Sequence, residues 1–324
     1  MKPMPQRCSR PVSHWLAILC LTLGLASCSA PAPNSGTPSG RPKVVSTSTI
    51  IADWTADIGG DAIEQTSLLQ PGADPHVYEP TPKDTRAFAT ADLILYNGYN
   101  LEPGLVRLMQ SSGQRAKKVA VGEVVTPLQM TKEGKATVPD PHVWGDVKNA
   151  IAIVERIRDE LIALSPGDRA TFTANATALI AEFTQLDRWI RQQIQTIPPA
   201  QRQLITTHDA FQYYARAYGL TVAGTLIGIS TEEQPSAQTV KQLVEAIKGT
   251  GTPAIFAEST INPTLITTVA QSAGVKLAPQ KLYSDSIGAP GSEGDSYRKM
   301  MVANTTAIAQ ALGGTVTPFT PPTP

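Results

Sequence analysis

A long amphipathic helix pattern near the middle of the chain constrains the fold more than any other feature. Within residues 165–199, apolar side chains recur at steps of three and four, which keeps them on one face of a helix. These side chains are Phe172, Ala176, Leu179, Phe183, Leu186, Ile190 and Ile194. The pattern extends for about 28 residues, or about 40 Å of helix, which is unusually long for a surface helix of one domain. We therefore predict a stiff helix at residues 165–198 that joins two lobes.

The segments on either side of this helix both alternate short β-rich runs with helical patterns. The predicted strands are residues 43–50, 63–69, 93–98 and 118–123 before the helix, and 203–208, 221–227, 254–258 and 275–283 after it. Strands that alternate with helices form mostly parallel sheets with helices on both faces. The predicted fold class is therefore α/β, with an N-terminal lobe at residues 43–164 and a C-terminal lobe at 199–314. Residues 315–324 are a Pro-rich tail that we expect to fray.

Several helix boundaries have their own signals. Thr81 and Asp84 form a capping pair at the start of one helix in the N-terminal lobe. In the C-terminal lobe, Asp209 and Gln212 have capping-box spacing, which predicts that Asp209 caps the helix that follows and that Gly219 ends it.

The amino terminus has the pattern of a bacterial lipoprotein signal. Residues 1–27 combine three basic side chains with the apolar run WLAILCLTLGLA, which is shorter than the roughly 20 residues of a membrane span. Leu25-Ala26-Ser27-Cys28 resembles a lipobox, which predicts acylation of Cys28; an ordinary secretory signal cut nearby is the alternative. Residues 28–42 are rich in Pro, Gly and Ser and are predicted to be a flexible tether. The mature chain is then extracytoplasmic and lipid-anchored to the membrane, on its periplasmic side or at the cell surface.

Composition limits the kinds of site that the folded body can carry. Lys plus Arg equals Asp plus Glu, at 27 each, so no excess of positive charge indicates a nucleic-acid partner. The three cysteines all lie at or before position 28, which leaves the body without a disulfide or a thiolate ligand. Any metal site must therefore be built from His, Asp and Glu.

All three histidines of the mature chain lie in loops at one predicted sheet edge. His76 lies in DPHVY (74–78) and His142 in the nearly identical DPHVW (140–144), while His208 ends a strand and Asp285 follows one. Ligands of α/β proteins bind beyond the carboxyl ends of the strands, where these loops meet. The proline before His76 and His142 restricts the backbone and so helps to hold the imidazole in place. Neutral imidazoles with a carboxylate are suited to Zn, Mn or Fe, so the sequence predicts a metal site.

Stretches along almost the whole mature chain resemble the manganese/zinc solute-binding lipoproteins of bacterial ABC importers. These stretches are GADPHVYEPTPKD (72–84), ADLILYNGYNLE (91–102), DPHVWGDVKNA (140–150), THDAFQYYARAYG (207–219), IFAES (255–259) and LYSDSIG (282–288). The resemblance implies that His76, His142, His208 and Asp285 bind one Mn²⁺ or Zn²⁺ per chain as the transported ligand. It also implies two bridged α/β lobes and, as partners of a monomeric chain, an ABC permease and its ATPase.

Glu258 ends a predicted strand of the C-terminal lobe. We predict that its carboxylate orients a ligand histidine, with a hydrogen bond to nearby backbone as the alternative.

The choice of ion and three rival functions stay open. Many manganese-type relatives have glutamate where this chain has His208, which favours zinc, but residues 126–139 lack the His-rich insertion of many zinc-type relatives. A metal-dependent hydrolase is one rival, although the chain has no HExxH motif and no obvious general base, so we predict no enzymatic activity. The second rival is a binding protein for a chelated metal, and the third is a surface adhesin with a structural metal.

Overall fold

The computed structural model of the protein describes residues 40–131 and 137–321. The predicted signal sequence, Cys28 and most of the predicted tether lie outside these residues. Across the described ranges, no helix combines the length and the apolar character that a membrane span requires.

The first lobe is a parallel sheet with helices on both faces, as predicted. Its strands are β1 (Lys43–Ser46), β2 (Glu64–Ser67), β3 (Leu93–Tyr96) and β4 (Lys117–Ala120), and its helices are α1 (Thr49–Gly59), α2 (Pro82–Thr90), α3 (Pro103–Ser112) and α4 (Val147–Leu164). The strand order is β2-β1-β3-β4, and every neighbouring pair is parallel. Adjacent residues of β1 point to opposite faces, so Val44 packs with α1 and α4 while Val45 packs with α2 and α3.

The predicted strands of this lobe are correctly placed but too long. Only the first half of the run at 43–50 is a strand, and Thr49 and Ile50 at its end already belong to α1, because the Ser48 side chain accepts the Ile51 N–H and begins the helix. The run at 118–123 similarly passes into a 3₁₀ turn at Val121–Val124. A short antiparallel hairpin, β5 (Gln129–Thr131) and β6 (Thr137–Pro139), follows before α4.

The long helix is present, as α5 (Arg169–Gln195), and its 27 residues agree with the predicted length. All seven side chains of the predicted apolar stripe are buried. The helix packs against α1 and α4 of the first lobe and against the last helix of the chain, α9 (Tyr297–Ala311). One continuous apolar core therefore runs from the first lobe, along α5, into the second.

The second lobe repeats the parallel α/β arrangement. Its strands are β7 (Gln203–His208), β8 (Thr221–Ile227), β9 (Ala254–Ile255) and β10 (Lys276–Leu277), and its helices before α9 are α6 (Gln212–Tyr218), α7 (Ala237–Thr250) and α8 (Thr264–Ala273). The pairs β7–β8 and β9–β10 are parallel, and the Phe256 N–H donates to the Ile205 carbonyl to connect them. Leu204 faces the core shared with α5, whereas Ile205 faces α7 and α8.

Two strand predictions of this lobe were again too long. The runs at 254–258 and 275–283 form only two-residue strands, followed by a single bridge between Glu258 and Leu282. Pro279 has no N–H to donate and interrupts the second run. The shortened strands leave the backbone on either side of Asp285 free to turn into the space between the lobes.

The predicted helix boundaries are confirmed at Thr81 and Gly219 but not at Asp209. Thr81 and Asp84 form the predicted capping box of α2. The prediction that Asp209 caps a helix was wrong, because α6 begins three residues later and the Gln212 amide donates to the Asp209 carboxylate instead. Gly219 ends α6 in a left-handed conformation, as predicted.

The Pro-rich tail does not fray over its described residues, contrary to expectation. The Thr317 N–H donates to Gln193 Oε1 at 2.9 Å, Trp189 Nε1 donates to the Thr317 carbonyl at 2.9 Å, and the Phe319 ring packs on Trp189. Prolines lack an N–H, so an extended Pro-rich segment has few backbone donors to satisfy, and here α5 supplies partners for the remaining polar groups.

Candidate metal centre

The structure brings His76, His142, His208 and Asp285 together between the two lobes. His76 lies in the loop after β2, His142 just before α4, His208 at the end of β7, and Asp285 after the bridge at Leu282. One ligand atom from each residue lies within 4.8 Å of the others. All four side chains are buried, with at most 3% of any residue exposed. The predicted site residues therefore form one compact, enclosed cluster of donors.

Three of the six separations between the donor atoms match those of a small tetrahedral ion, and the whole set lies within 4.8 Å. His76 Nε2 lies 3.3 Å from His142 Nε2, His142 Nε2 lies 3.4 Å from Asp285 Oδ1, and His208 Nε2 lies 3.2 Å from Asp285 Oδ2. Four ligands at about 2.0–2.1 Å from a tetrahedral ion are separated from one another by about 3.3–3.4 Å. These three separations are therefore compatible with a divalent transition-metal ion at the centre of the cluster.

The repeated DPH phrase forms the same turn twice, and its aspartate as well as its proline shapes the turn. Asp74 Oδ1 accepts the His76 N–H at 2.9 Å, and Asp140 Oδ1 accepts the His142 N–H at 3.0 Å. An aspartate that bonds to the backbone two residues later is a common way of fixing a tight turn. The phrase is therefore a turn that presents the histidine side chain, and the aspartate holds the histidine backbone.

Carboxylates behind the site also fix two of the imidazole rings. Asp140 Oδ1 lies 2.7 Å from His142 Nδ1. Glu258 Oε1 accepts the His208 N–H at 2.8 Å, and its Oε2 lies 2.5 Å from His208 Nδ1. A carboxylate on Nδ1 leaves Nε2 directed at the ion and fixes the tautomer that can bind it. Sequence reasoning identified Glu258 and missed Asp140, although its position two residues before His142 was the available signal.

Burial and the neighbouring carboxylates shift the pKa values of the three histidines in different directions. Burial lowers the pKa of His76 to about 3. Burial also lowers the pKa of His142, but Asp140 and Asp285 outweigh this and raise it to about 9. For His208, Glu258 and Asp285 likewise outweigh burial and hold its pKa well above the ordinary value. Protons on His142 and His208 thus balance the buried carboxylates, and a cation bound in the cluster would take over that role.

Two buried polar atoms of the cluster lie near groups of opposite charge but make no hydrogen bond of acceptable geometry. They are His208 Nε2 and Asp285 Oδ1. Burying polar atoms without a partner is costly, so their presence in a native protein calls for an explanation. A cation between them would satisfy both.

The loop that carries Asp285 is held on both sides by the first lobe. Trp144 Nε1 donates to the Ser284 carbonyl at 2.9 Å, and the Gly72 N–H donates to Ser286 Oγ at 2.8 Å. Thr49 Oγ1 lies 3.0 Å from the same Ser286 Oγ. The site is thus assembled only when the two lobes meet. Sequence reasoning did not predict that Trp144, Ser286 and Thr49 make these contacts between the lobes.

Known proteins are similar to this chain along almost its full length. The family described as zinc-uptake complex component A, periplasmic, matches residues 44–311. The metal ABC transporter substrate-binding lipoprotein FimA of Streptococcus parasanguinis is 36% identical over 298 residues, which cover 90% of this chain and 95% of that protein. The manganese ABC transporter substrate-binding lipoprotein PsaA of Streptococcus pneumoniae is 34% identical, with the same coverage of both chains.

Solved structures show the same two-lobe fold. The periplasmic zinc-binding protein TroA of Treponema pallidum superposes with a TM-score of 0.79 at 34% identity, over 84% of this chain and 99% of that one. The Fe(III)-bound YtgA of Chlamydia trachomatis has a TM-score of 0.76 at 29% identity, over 86% of this chain and 100% of that one. The fold, the extent of the match and the family profile agree, and this chain belongs to the zinc-uptake component A family of periplasmic solute-binding proteins.

Proposed function

We propose that this chain binds one divalent transition-metal ion outside the cytoplasm and delivers it to an ABC import permease. The observation that carries the proposal is the buried cluster of three imidazoles and one carboxylate, with donor separations that suit a small cation. In this proposal His76, His142, His208 and Asp285 are the ligands, and Asp140 and Glu258 orient two of them. The relatives named as ABC transporter lipoproteins support the permease and its ATPase as partners.

The ion is manganese or zinc, and the support is divided. Three nitrogen donors and one oxygen donor match the ligands and the tetrahedral geometry that zinc prefers. The relatives named for manganese, at comparable identity, support manganese. Sites of this kind bind zinc more tightly than manganese in most circumstances, so supply and geometry decide which ion is carried in the cell.

Binding fits the site better than catalysis does. A metal hydrolase needs an open coordination position and a free carboxylate to act on a bound water. Here the donors are buried, and the nearby carboxylates of Asp140 and Glu258 are bonded to His142 and His208. We therefore infer a carrier rather than an enzyme, acting as a monomer and anchored to the membrane through acylated Cys28.

The first test is the stoichiometry and reversibility of metal binding. The purified protein should bind one Zn²⁺ or Mn²⁺ per chain, release it to a chelator and stay folded. His142→Ala should weaken binding by at least about tenfold, because it removes a ligand. Glu245→Gln is the matched control: Glu245 makes an exposed ion pair with Lys248 within α7, so binding should stay near the parent value. Parent-like binding by His142→Ala would overturn the proposed ligand set.

A further inference from the structure

The two copies of the DPH turn differ in what the second oxygen of the aspartate does. In the His142 copy, Asp140 turns back on its own histidine, and its Oδ2 is buried without a partner. In the His76 copy, Asp74 Oδ1 accepts the His76 N–H while Oδ2 accepts the Thr231 hydroxyl at 2.6 Å. Thr231 lies in the other lobe, so this aspartate touches both a proposed ligand turn and the opposite side of the cleft.

Thr231 belongs to the loop of residues 228–236, between β8 and α7, which lies beside the metal centre. Ile229 and Ser230 of this loop line a cavity of about 210 Å³ together with His76. Thr231 and Asp74 line a neighbouring groove of about 380 Å³. Residues of the loop therefore line both spaces, and His76 is the proposed ligand that borders one of them.

We propose that the Asp74–Thr231 hydrogen bond is a latch that holds the 228–236 loop against the first lobe and slows release of the ion. This rests on the proposed function. With the latch closed, one oxygen of Asp74 accepts the His76 N–H and the other accepts the Thr231 hydroxyl. The turn that presents His76 is therefore held by its own aspartate and, through that aspartate, by the second lobe. When the loop moves away, Asp74 loses its hydrogen bond to Thr231. The turn that carries His76 is then held less firmly, on the side of His76 that lines the cavity. Asp74 and Thr231 are positioning residues, since neither contacts the ion.

The test compares ion release from variants that differ only in the hydroxyl at position 231. Thr231→Val keeps the shape of the side chain and removes the donor, and Thr231→Ala removes it with less bulk. Full-length chain in detergent is loaded with one equivalent of Zn²⁺ and mixed rapidly with excess chelating dye. A hydrogen bond to a charged acceptor has a strength that corresponds to about a tenfold change in rate, so both variants should release zinc about tenfold faster. Their stoichiometry and association rate should stay at the parent values.

Two controls separate the latch from general loosening of the protein. Thr231→Ser restores a hydroxyl and should restore slow release. Thr268→Val removes an exposed hydroxyl that lines the same groove but bonds within α8, and it should release zinc like the parent. Parent-like release by both Thr231→Val and Thr231→Ala, at normal stoichiometry, overturns the latch alone. A parent protein that binds no zinc and no manganese overturns the proposed function, and the latch with it.

Discussion

Glu258→Gln is the sharpest test of how the chain prepares its proposed metal ligands. The Glu258 carboxylate is fully buried and accepts twice from His208, once from its N–H and once from Nδ1. Glutamine keeps the size of the side chain and one acceptor oxygen. Its other terminal atom is an NH₂ group that cannot accept from Nδ1–H, so the tautomer that directs Nε2 at the ion loses its support.

The expected loss follows from the one hydrogen bond that cannot be replaced. A hydrogen bond to a charged group contributes about 1.5–3 kcal/mol, and about 1.4 kcal/mol corresponds to a factor of ten in affinity. Glu258→Gln should therefore weaken zinc binding by about 10- to 100-fold, with one ion per chain still bound at saturation. Competition titration against a chelator of known affinity measures this directly.

Glu245→Gln is the matched control, because Glu245 makes an exposed ion pair with Lys248 far from the cluster and its change should leave affinity unaltered. The variant at position 258 should also melt at a lower temperature than the parent without metal, because the change removes a charge from a buried pair. Affinity must therefore be measured on the folded fraction. If Glu258→Gln bound zinc within a factor of about two of the parent, the carboxylate would not be positioning His208.

Two more predictions concern the ion and the proton. His208→Glu should raise the ratio of manganese to zinc affinity, because a carboxylate adds a hard oxygen and a second possible bond to manganese. Competition titration with both ions measures this ratio. An unchanged ratio would show that position 208 does not set selectivity. Metal affinity should fall as pH drops below about 9, since the raised pKa of His142 means that the ion must displace a proton from that ring. The stability of the metal-free protein should depend on pH in the opposite direction. The raised pKa of His142 stabilises the folded state fully below pH about 6.5, the unfolded value, and this contribution is lost as pH rises through about 9. Calorimetry in buffers of different ionisation enthalpy should detect proton release on metal binding near pH 7.5. If no proton were released, His142 would not be a protonated ligand that the ion deprotonates.

The sequence predicted the architecture well because that part of the fold depends on local patterns. The α5 stripe has a helical period over its whole length, and each of its seven members is buried. Strand ends were harder to predict, since Ile50 and Ile51 are as apolar as Val44 and Val45 but belong to a helix. Periodicity over a few residues cannot separate the two, and the deciding contact is the Ser48 cap.

The site divides in the same way between local and distant interactions. Residues at strand ends can be assigned to one edge of a sheet, and this brought the three histidines and Asp285 into consideration together. The side chains that position the histidines were harder to predict. Sequence can indicate such a side chain only when it lies close to the histidine in the chain or ends a neighbouring strand. Thr231 is 157 residues from Asp74, and nothing in the 228–236 segment marks it as a partner. Such contacts follow from how the lobes dock, which depends on the whole core.

The shared core also limits how an ion can leave the cluster. Parting the lobes as rigid bodies would expose aromatic side chains that now lie buried between them, including Trp144, Tyr213, Tyr214 and Tyr297. At about 1.5–3 kcal/mol for each large side chain, that opening costs about 6–12 kcal/mol in these four alone. Moving the 228–236 loop exposes Ile229 and breaks the Thr231 hydrogen bond, at about 3–6 kcal/mol by the same scales. By these figures the smaller opening costs less, which favours the loop next to His76 as the passage for the ion under the proposed function. Docking on a permease then has only to stabilise that local opening, and the two lobes can stay joined along α5 while the ion is delivered.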